Sequence, residues 1–144
     1  MPETLEKVAQ FLSGHHLLSL ATVAGNVPQS ASLFYAYDAV NTAFVVASDE
    51  KTEHIRNVLQ NERVSGTVAL ETEEVGKIEG IQFKGVMRKI SKKEGTLYFK
   101  RFPYARVMKP QLWCITLTEL KLTDNRLGFG KKLYWQRENA GELE

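Results

Sequence analysis

The sequence predicts a mainly β protein, a small antiparallel barrel of about six strands with peripheral helices. Three observations carry that expectation. Apolar, β-prone runs follow one another with short turn signals between them, so consecutive strands should pair as a meander. One run, 77–90, is long and contains Gly80 and Gly85, which weaken a strand unless they serve a bulge, a bend or a close backbone approach, as in strands that close barrels. The helical patterns are short, each with one apolar stripe suited to covering a sheet.

In chain order, Leu5, Val8, Ala9 and Leu12 repeat at i, i+3, i+4 and i+7, an amphipathic helix that Thr4 can cap and Gly14 can end. Residues 16–23 read as the first strand, Gly25-Asn26 as a hairpin turn and 29–37 as the second strand. A turn at 38–41 leads into the third strand, 42–48. A helix from Lys51 puts Ile55, Val58 and Leu59 on its buried face, and 64–70 supplies the fourth strand. After a turn at 72–76 comes the long fifth strand. Segment 92–108 begins helical and turns irregular, with Pro103 and Pro110 as punctuation, and 112–117 and 120–124 read as separate strands. Trp113 and Trp135 are expected in the core or an interface, Cys114 as a buried, inert thiol, and Gly128-Phe129-Gly130 as a hairpin.

A chain of 144 residues is most simply one domain, 1–144, large enough to bury a core without staples. No apolar run approaches the ~18 residues of a membrane span, and Met1-Pro2-Glu3-Thr4 lacks the basic and apolar regions of a secretory signal. With a single cysteine, these features imply a cytoplasmic address. The net charge of +2 hides nine Lys or Arg between Lys84 and Lys109 against Glu94 alone. Interleaved with Tyr98, Phe99, Phe102 and Tyr104, that segment could attract phosphates and stack on bases. The plainer reading places Leu97 and the aromatics in the core and the lysines in water, and disfavours nucleic acid.

The segment with the most chemistry is Thr42 to Asn61: an apolar strand, then Ser48-Asp49-Glu50-Lys51-Thr52, then helical spacing. A helix N-terminus offers unpaired N–H groups and the positive end of the helix dipole, and here a Lys and two hydroxyls stand beside it, a plausible phosphate seat. Glu50 and Glu53 fit equally a simple capped helix. No set of residues forms a recognisable acid, base or nucleophile constellation, and His15, His16 and His54 suit neither a metal clamp nor a catalytic dyad.

Three further stretches meet a known pattern: Leu18-Ser19-Leu20-Ala21-Thr22 through Asn26-Val27-Pro28-Gln29 to Phe34-Tyr35-Ala36-Tyr37-Asp38; Lys51-Thr52-Glu53-His54-Ile55 through Asn61-Glu62-Arg63-Val64; and Gly80-Ile81-Gln82-Phe83-Lys84-Gly85. With the closing Thr123-Asp124-Asn125-Arg126-Leu127-Gly128-Phe129-Gly130-Lys131-Lys132, the chain resembles the flavin-binding split barrels, the superfamily of pyridoxamine phosphate oxidase, and within it the bacterial YhbP-like branch. The resemblance implies an antiparallel split β-barrel and a homodimer holding FMN at its interface. It implies phosphate contacts from Ser48, Lys51 and Thr52, a flavin ring against Gln29, Ser30, Ala31 and Ser32, and reach from Gln82 and Lys84 of the second subunit. Two departures matter. Asp49-Glu50 would repel a phosphate unless both acids point away. Pyridoxamine phosphate oxidases close with a Trp-Gln and an Arg-x-His that grip substrate, and the nearest segment here, Thr123-Asp124-Asn125-Arg126-Leu127-Gly128, has no His, which rejects that activity. The implied function is an FMN-binding oxidoreductase, in which the flavin performs the electron transfer. Its alternatives are a non-catalytic module for flavin, haem or another anionic ligand, and a cofactor-free interaction protein.

Overall fold

The structure is a computed structural model describing residues 3–128 and 131–138. Seven strands lie in the order β3-β2-β1-β4-β5-β6-β7, every neighbouring pair antiparallel, and β3 also pairs with β6. They are β1 Leu17–Ala24, β2 Val27–Asp38, β3 Ala43–Ala47, β4 Arg63–Ala69, β5 Glu79–Ile90, β6 Leu112–Asp124 and β7 Lys132–Gln136. The β3–β6 pairing closes six strands into a barrel, and β7 is added outside it. Closure depends on the length of β6: its first part, Leu112 to Thr116, pairs with β3, and a later part, Glu119 to Thr123, pairs with β7. At the other end β2 outruns its partner. Its pairing with β3 begins at Tyr35, so residues 27–34 have a neighbour only in β1.

One expectation fails at β6, which is a single strand instead of two. Lys84 pairs with Glu119 and Gly85 with Leu117, leaving Thr118 as the extra residue of a β-bulge whose hydroxyl donates to the Lys84 carbonyl at 3.2 Å. The bulge moves the inward positions from Leu117 to Leu120, three residues apart, and a broken period of two reads as two strands. Gly85 supplies the close approach expected of it, since a Cβ there would stand 2.6 Å from the Thr116 carbonyl oxygen. The fifth strand begins at Glu79, two residues later than expected, after a 3-10 turn at Val75–Lys77. Gly25 and Asn26 both have left-handed φ, 57° and 62°, as a two-residue turn twisting with its hairpin requires.

Inside the barrel the aromatic rings interlock, with Phe44 edge-on to both Tyr35 and Phe83 at 5.0 Å between centroids. Helix α1, Glu3–Ser13, closes one end with Leu5, Val8, Phe11 and Leu12, and the buried Tyr35 hydroxyl donates to the Leu12 carbonyl at 2.7 Å. Burial pushes the Tyr35 pKa up to about 12. Helix α2, Glu53–Gln60, closes the other end with Ile55 and Val58, and Asn57 Nδ2 donates to Thr22 Oγ1 at 3.1 Å. Leu59, expected on that buried face, is 64% exposed because it lies one helical step (~100°) beyond Val58. Helix α3, Thr96–Arg101, covers the outer side of β2 and β3 with Tyr98 and Phe99, which join Ala36, Val45 and Leu112 in a second cluster. Leu97 and Tyr104 were also expected in the core; both are exposed, Tyr104 on the 3-10 turn Pro103–Met108 that follows α3. Trp113 is core; Cys114 is half-buried, with burial raising its thiol pKa. Phe129 and Gly130 of the expected hairpin lie outside the described residues. Among the described residues no helix is long and apolar enough to cross a membrane.

Candidate functional site

Strand register carries residues far apart in sequence onto one surface. Because side chains alternate, the outward neighbours Ser30, Ala21, Ser65, Lys84, Glu119 and Gln136 form one row across β2, β1, β4, β5, β6 and β7. A second outward row, Ser32, Ser19, Thr67, Gln82, Lys121 and Tyr134, crosses the same strands beside it. Apart from Ser32 at one end, these rows, with Trp135, border a groove of about 970 Å³ on the outside of the barrel. Its middle is made of small side chains, so a ligand or second chain could approach the backbone closely. Charge is confined to one side, where Lys84 pairs with Glu119 at 3.5 Å and the Lys121 ammonium sits 6.0 Å from the Tyr134 ring centre.

Of the sequence-predicted residues, Ser30, Ser32, Gln82 and Lys84 meet on these two rows. Gln29 and Ala31 alternate to the inner side of β2, and Thr22 Oγ1 lies 3.5 Å from Gln29 Oε1. Ser48, Lys51 and Thr52 form a separate cluster in the turn between β3 and α2. That turn leaves β3 beside the part of β2 that has outrun it, and in one chain it does not line the groove.

The turn is tightly cross-linked. The backbone of Ser48 donates to the Gln111 carbonyl at 3.0 Å and accepts from Trp113 Nε1 at 2.9 Å, tying the turn to the start of β6. Thr52 is the α2 N-cap: its Oγ1 accepts from the Ile55 N–H at 3.4 Å and donates to the Asp49 carbonyl at 2.8 Å. The two acids that threatened to repel a phosphate are both engaged. Asp49 Oδ1 accepts the Lys51 N–H at 2.7 Å, and the Glu50 carboxylate is drawn to the Lys89 ammonium on β5 at 2.6 Å, while the Glu50 N–H donates to Gln111 Oε1 at 2.9 Å. Among the described residues the exposed Lys51 ammonium has no carboxylate partner. Asp49, Glu50 and Glu53 are balanced in number by Lys51, Arg56 and Lys89. The groups of this turn whose chemistry suits a phosphate are the Lys51 ammonium and the Ser48 hydroxyl. Part of the α2 N-terminus is already spent on Asp49 and Thr52.

His54 is the residue that sequence reasoning set aside. It is buried, its Nε2 lies 2.6 Å from Ser48 Oγ and 3.3 Å from Thr52 Oγ1, and burial lowers its pKa, which favours the neutral imidazole. The only local signal was its position two residues after the capping Thr52. Among the described residues, no group of three or more His, Cys, Asp or Glu is placed to hold a metal ion.

No protein-family model matches the chain. It is 39% identical to a UPF0306 protein of Klebsiella pneumoniae (strain 342) over 97% of this chain and 98% of that one. It is 38% identical to the UPF0306 protein YhbP of Escherichia fergusonii over the same shares. Among solved structures, a heme binding protein from Mycobacterium smegmatis superposes with a TM-score of 0.77 at 16% identity, covering 94% of this chain and 59% of that one. A FAD-binding protein from Mesorhizobium loti gives 0.64 at 14% identity, over 80% and 88%. A candidate pyridoxamine 5′-phosphate oxidase from Listeria innocua gives 0.67 at 13% identity, over 83% and 98%. The structural likenesses establish a shared split-barrel fold.

Proposed function

The chain belongs to the UPF0306 family, and from that premise we propose that it is a homodimeric, FMN-binding split barrel acting as a flavin-dependent oxidoreductase. The flavin ring lies on the outer face beside Ser30 and Ser32, the phosphate meets Lys51 and Ser48 at the β3–α2 turn, and Gln82 and Lys84 reach the ring from the second subunit. The observation that carries this reading is the outer face itself: strand register gathers three of the anticipated contacts, Ser30, Gln82 and Lys84, on one groove whose volume suits a cofactor and on which a second subunit can present the same residues from the opposite side. Its small central side chains leave backbone groups accessible to a flat ring. Lys51 acts as a point charge on the phosphate and Ser48 as a hydroxyl donor, with Glu50 held off by Lys89. When bound, the flavin supplies the hydride or electron transfer, and the chain supplies position and electrostatics.

Haem is the second reading, favoured by the fold shared with the mycobacterial heme binding protein. The groove lining contains no His, Cys or Met, the side chains that most often hold haem iron, and offers only Tyr134 and two lysines, Lys84 and Lys121, in their place. Flavin, which needs no axial ligand, fits that lining better. The test is the absorbance spectrum of the purified protein, then titration with FMN and with haem, and reduction of any bound flavin by NAD(P)H. Bound FMN that NAD(P)H reduces supports the oxidoreductase; bound FMN that stays oxidised leaves a binding module. Failure to bind FMN at high micromolar concentration refutes the flavin reading. Light scattering that gives the 16.3 kDa mass of one chain refutes the dimer.

A further inference from the structure

We propose that His54 is a positioning residue for the phosphate seat: through its Nε2–H it fixes the Ser48 oxygen as an acceptor and so turns the Ser48 hydroxyl proton outward, toward a phosphate oxygen. The inference rests on the reading that the phosphate docks at this turn. It follows from counting protons. The Thr52 hydroxyl has one, and it goes to the Asp49 carbonyl. Thr52 Oγ1 can therefore face His54 Nε2 at 3.3 Å as a hydrogen-bond partner only by accepting, which places a proton on Nε2. The same Nε2–H points at Ser48 Oγ, 2.6 Å away, in a shared bond whose stronger branch is to Ser48. Ser48 is then the acceptor. No acceptor among the described residues is left for its own proton, whereas the proton of Thr52 is committed within the turn.

The arrangement also divides the labour between the two hydroxyls that the sequence offered as equivalent phosphate donors. Thr52 builds the helix cap, and Ser48 remains the one able to donate to a ligand. His54 sits on the first turn of α2 with its ring buried, while the Ser48 backbone is fixed by Gln111 and Trp113. Both ends of the Nε2–Oγ contact are thereby anchored before any ligand arrives.

The experiment compares FMN with riboflavin, which differ by the phosphate, in fluorescence titrations of the wild type, Ser48→Ala, His54→Leu, His54→Gln and the double variant Ser48→Ala/His54→Leu. Loss of one hydrogen bond to a charged group lowers affinity by about tenfold. The expected result is a drop of about that size in FMN affinity, with riboflavin unchanged, for Ser48→Ala and for His54→Leu alike. The double variant should be no weaker than Ser48→Ala alone, because His54 acts only through that hydroxyl. His54→Gln keeps an N–H donor at similar reach and should stay near the wild type, a rescue that remains readable if the leucine variant does not fold. Equal losses for FMN and riboflavin in His54→Gln or His54→Leu, or additive losses in the double variant, would overturn the positioning role and leave the phosphate seat standing. If instead the wild type shows no preference for FMN over riboflavin, or Lys51→Ala leaves that preference intact, the seat itself is misplaced and the role of His54 falls with it.

Discussion

Replacing Gly66 by Ala puts a methyl group where the barrel wall has no room. A Cβ at this position would lie 2.1 Å from the Ser19 carbonyl oxygen and 2.5 Å from the Phe83 ring, against 3.4 Å for ordinary contact. Relief requires β1 and β4 to part by about 1.3 Å, the difference between 3.4 and 2.1 Å, because the nearest obstacle is backbone. The ladder they share is short, with register pairs only at Ser19, Leu20 and Ala21, and the clash falls beside its central pair, Leu20 with Gly66. Overpacking costs roughly 1–3 kcal/mol, and each hydrogen bond loosened adds about 1 kcal/mol, so the variant should lose ~3–4 kcal/mol. For a chain of this size that lowers Tm by roughly 10 °C. Gly76→Ala is the control, since nothing stands within 4 Å of its Cβ, and its Tm should stay level or rise slightly. Thermal melting followed by circular dichroism reads both. A Gly66→Ala variant melting within a few degrees of the wild type would refute the claim that β1 and β4 are packed to backbone contact at the centre of the groove.

Four other perturbations probe the site. Lys51→Ala should weaken FMN by about ten- to a hundredfold, the scale of a charged hydrogen bond, with riboflavin binding and Tm unmoved; unchanged FMN affinity would place the phosphate elsewhere. Lys89→Ala releases the Glu50 carboxylate, so FMN affinity should fall and be restored by Glu50→Gln in the same chain; a fall that persists in the double variant would show that Lys89 acts otherwise than by holding Glu50 away. Trp113→Phe strips the donor from the Ser48 carbonyl and should cost about 1–3 kcal/mol in denaturant unfolding, against the result of no change if water replaces the indole. Burial lowers the His54 pKa, so below its ordinary value of 6.5 the unfolded chain binds the proton first. Stability is then fully present above that pH and declines as pH falls toward the folded value. His54→Gln should flatten the decline in unfolding free energy as pH falls below the ordinary histidine value of 6.5, and an unaltered slope would exclude His54 as its source.

The strands were legible because each carries its own signal, an alternating or apolar run between turn residues, and the Gly-interrupted fifth strand marked a closed barrel. Legibility ended where a residue's environment depends on a distant partner. At β6 the sequence breaks its period at Leu117 and Leu120, and only the pairing with Lys84 shows that a bulge and not a turn is responsible. Leu59 looked buried because its spacing from Ile55 is helical, yet how wide a stripe α2 buries is decided by the barrel end beneath it. Tyr104 looked like core because aromatic residues usually are, and its exposure reflects the 3-10 turn that lifts it clear of β2 and β3.

The acids of the turn show the same limit at the level of chemistry. Read locally, Asp49-Glu50 beside Lys51 is a contradiction, two negative charges where a phosphate should sit. The contradiction dissolves through contacts 39 and 61 residues away: Lys89 takes the Glu50 carboxylate and Gln111 takes its N–H. Asp49 accepts the Lys51 N–H, and among the described residues the Lys51 ammonium has no carboxylate partner. On the proposed phosphate reading, the charge balance of the turn depends on the fold's long-range pairing as well as on five consecutive residues, so Lys89 and Gln111, neither of them a proposed ligand contact, are the positions at which that reading is tested from a distance.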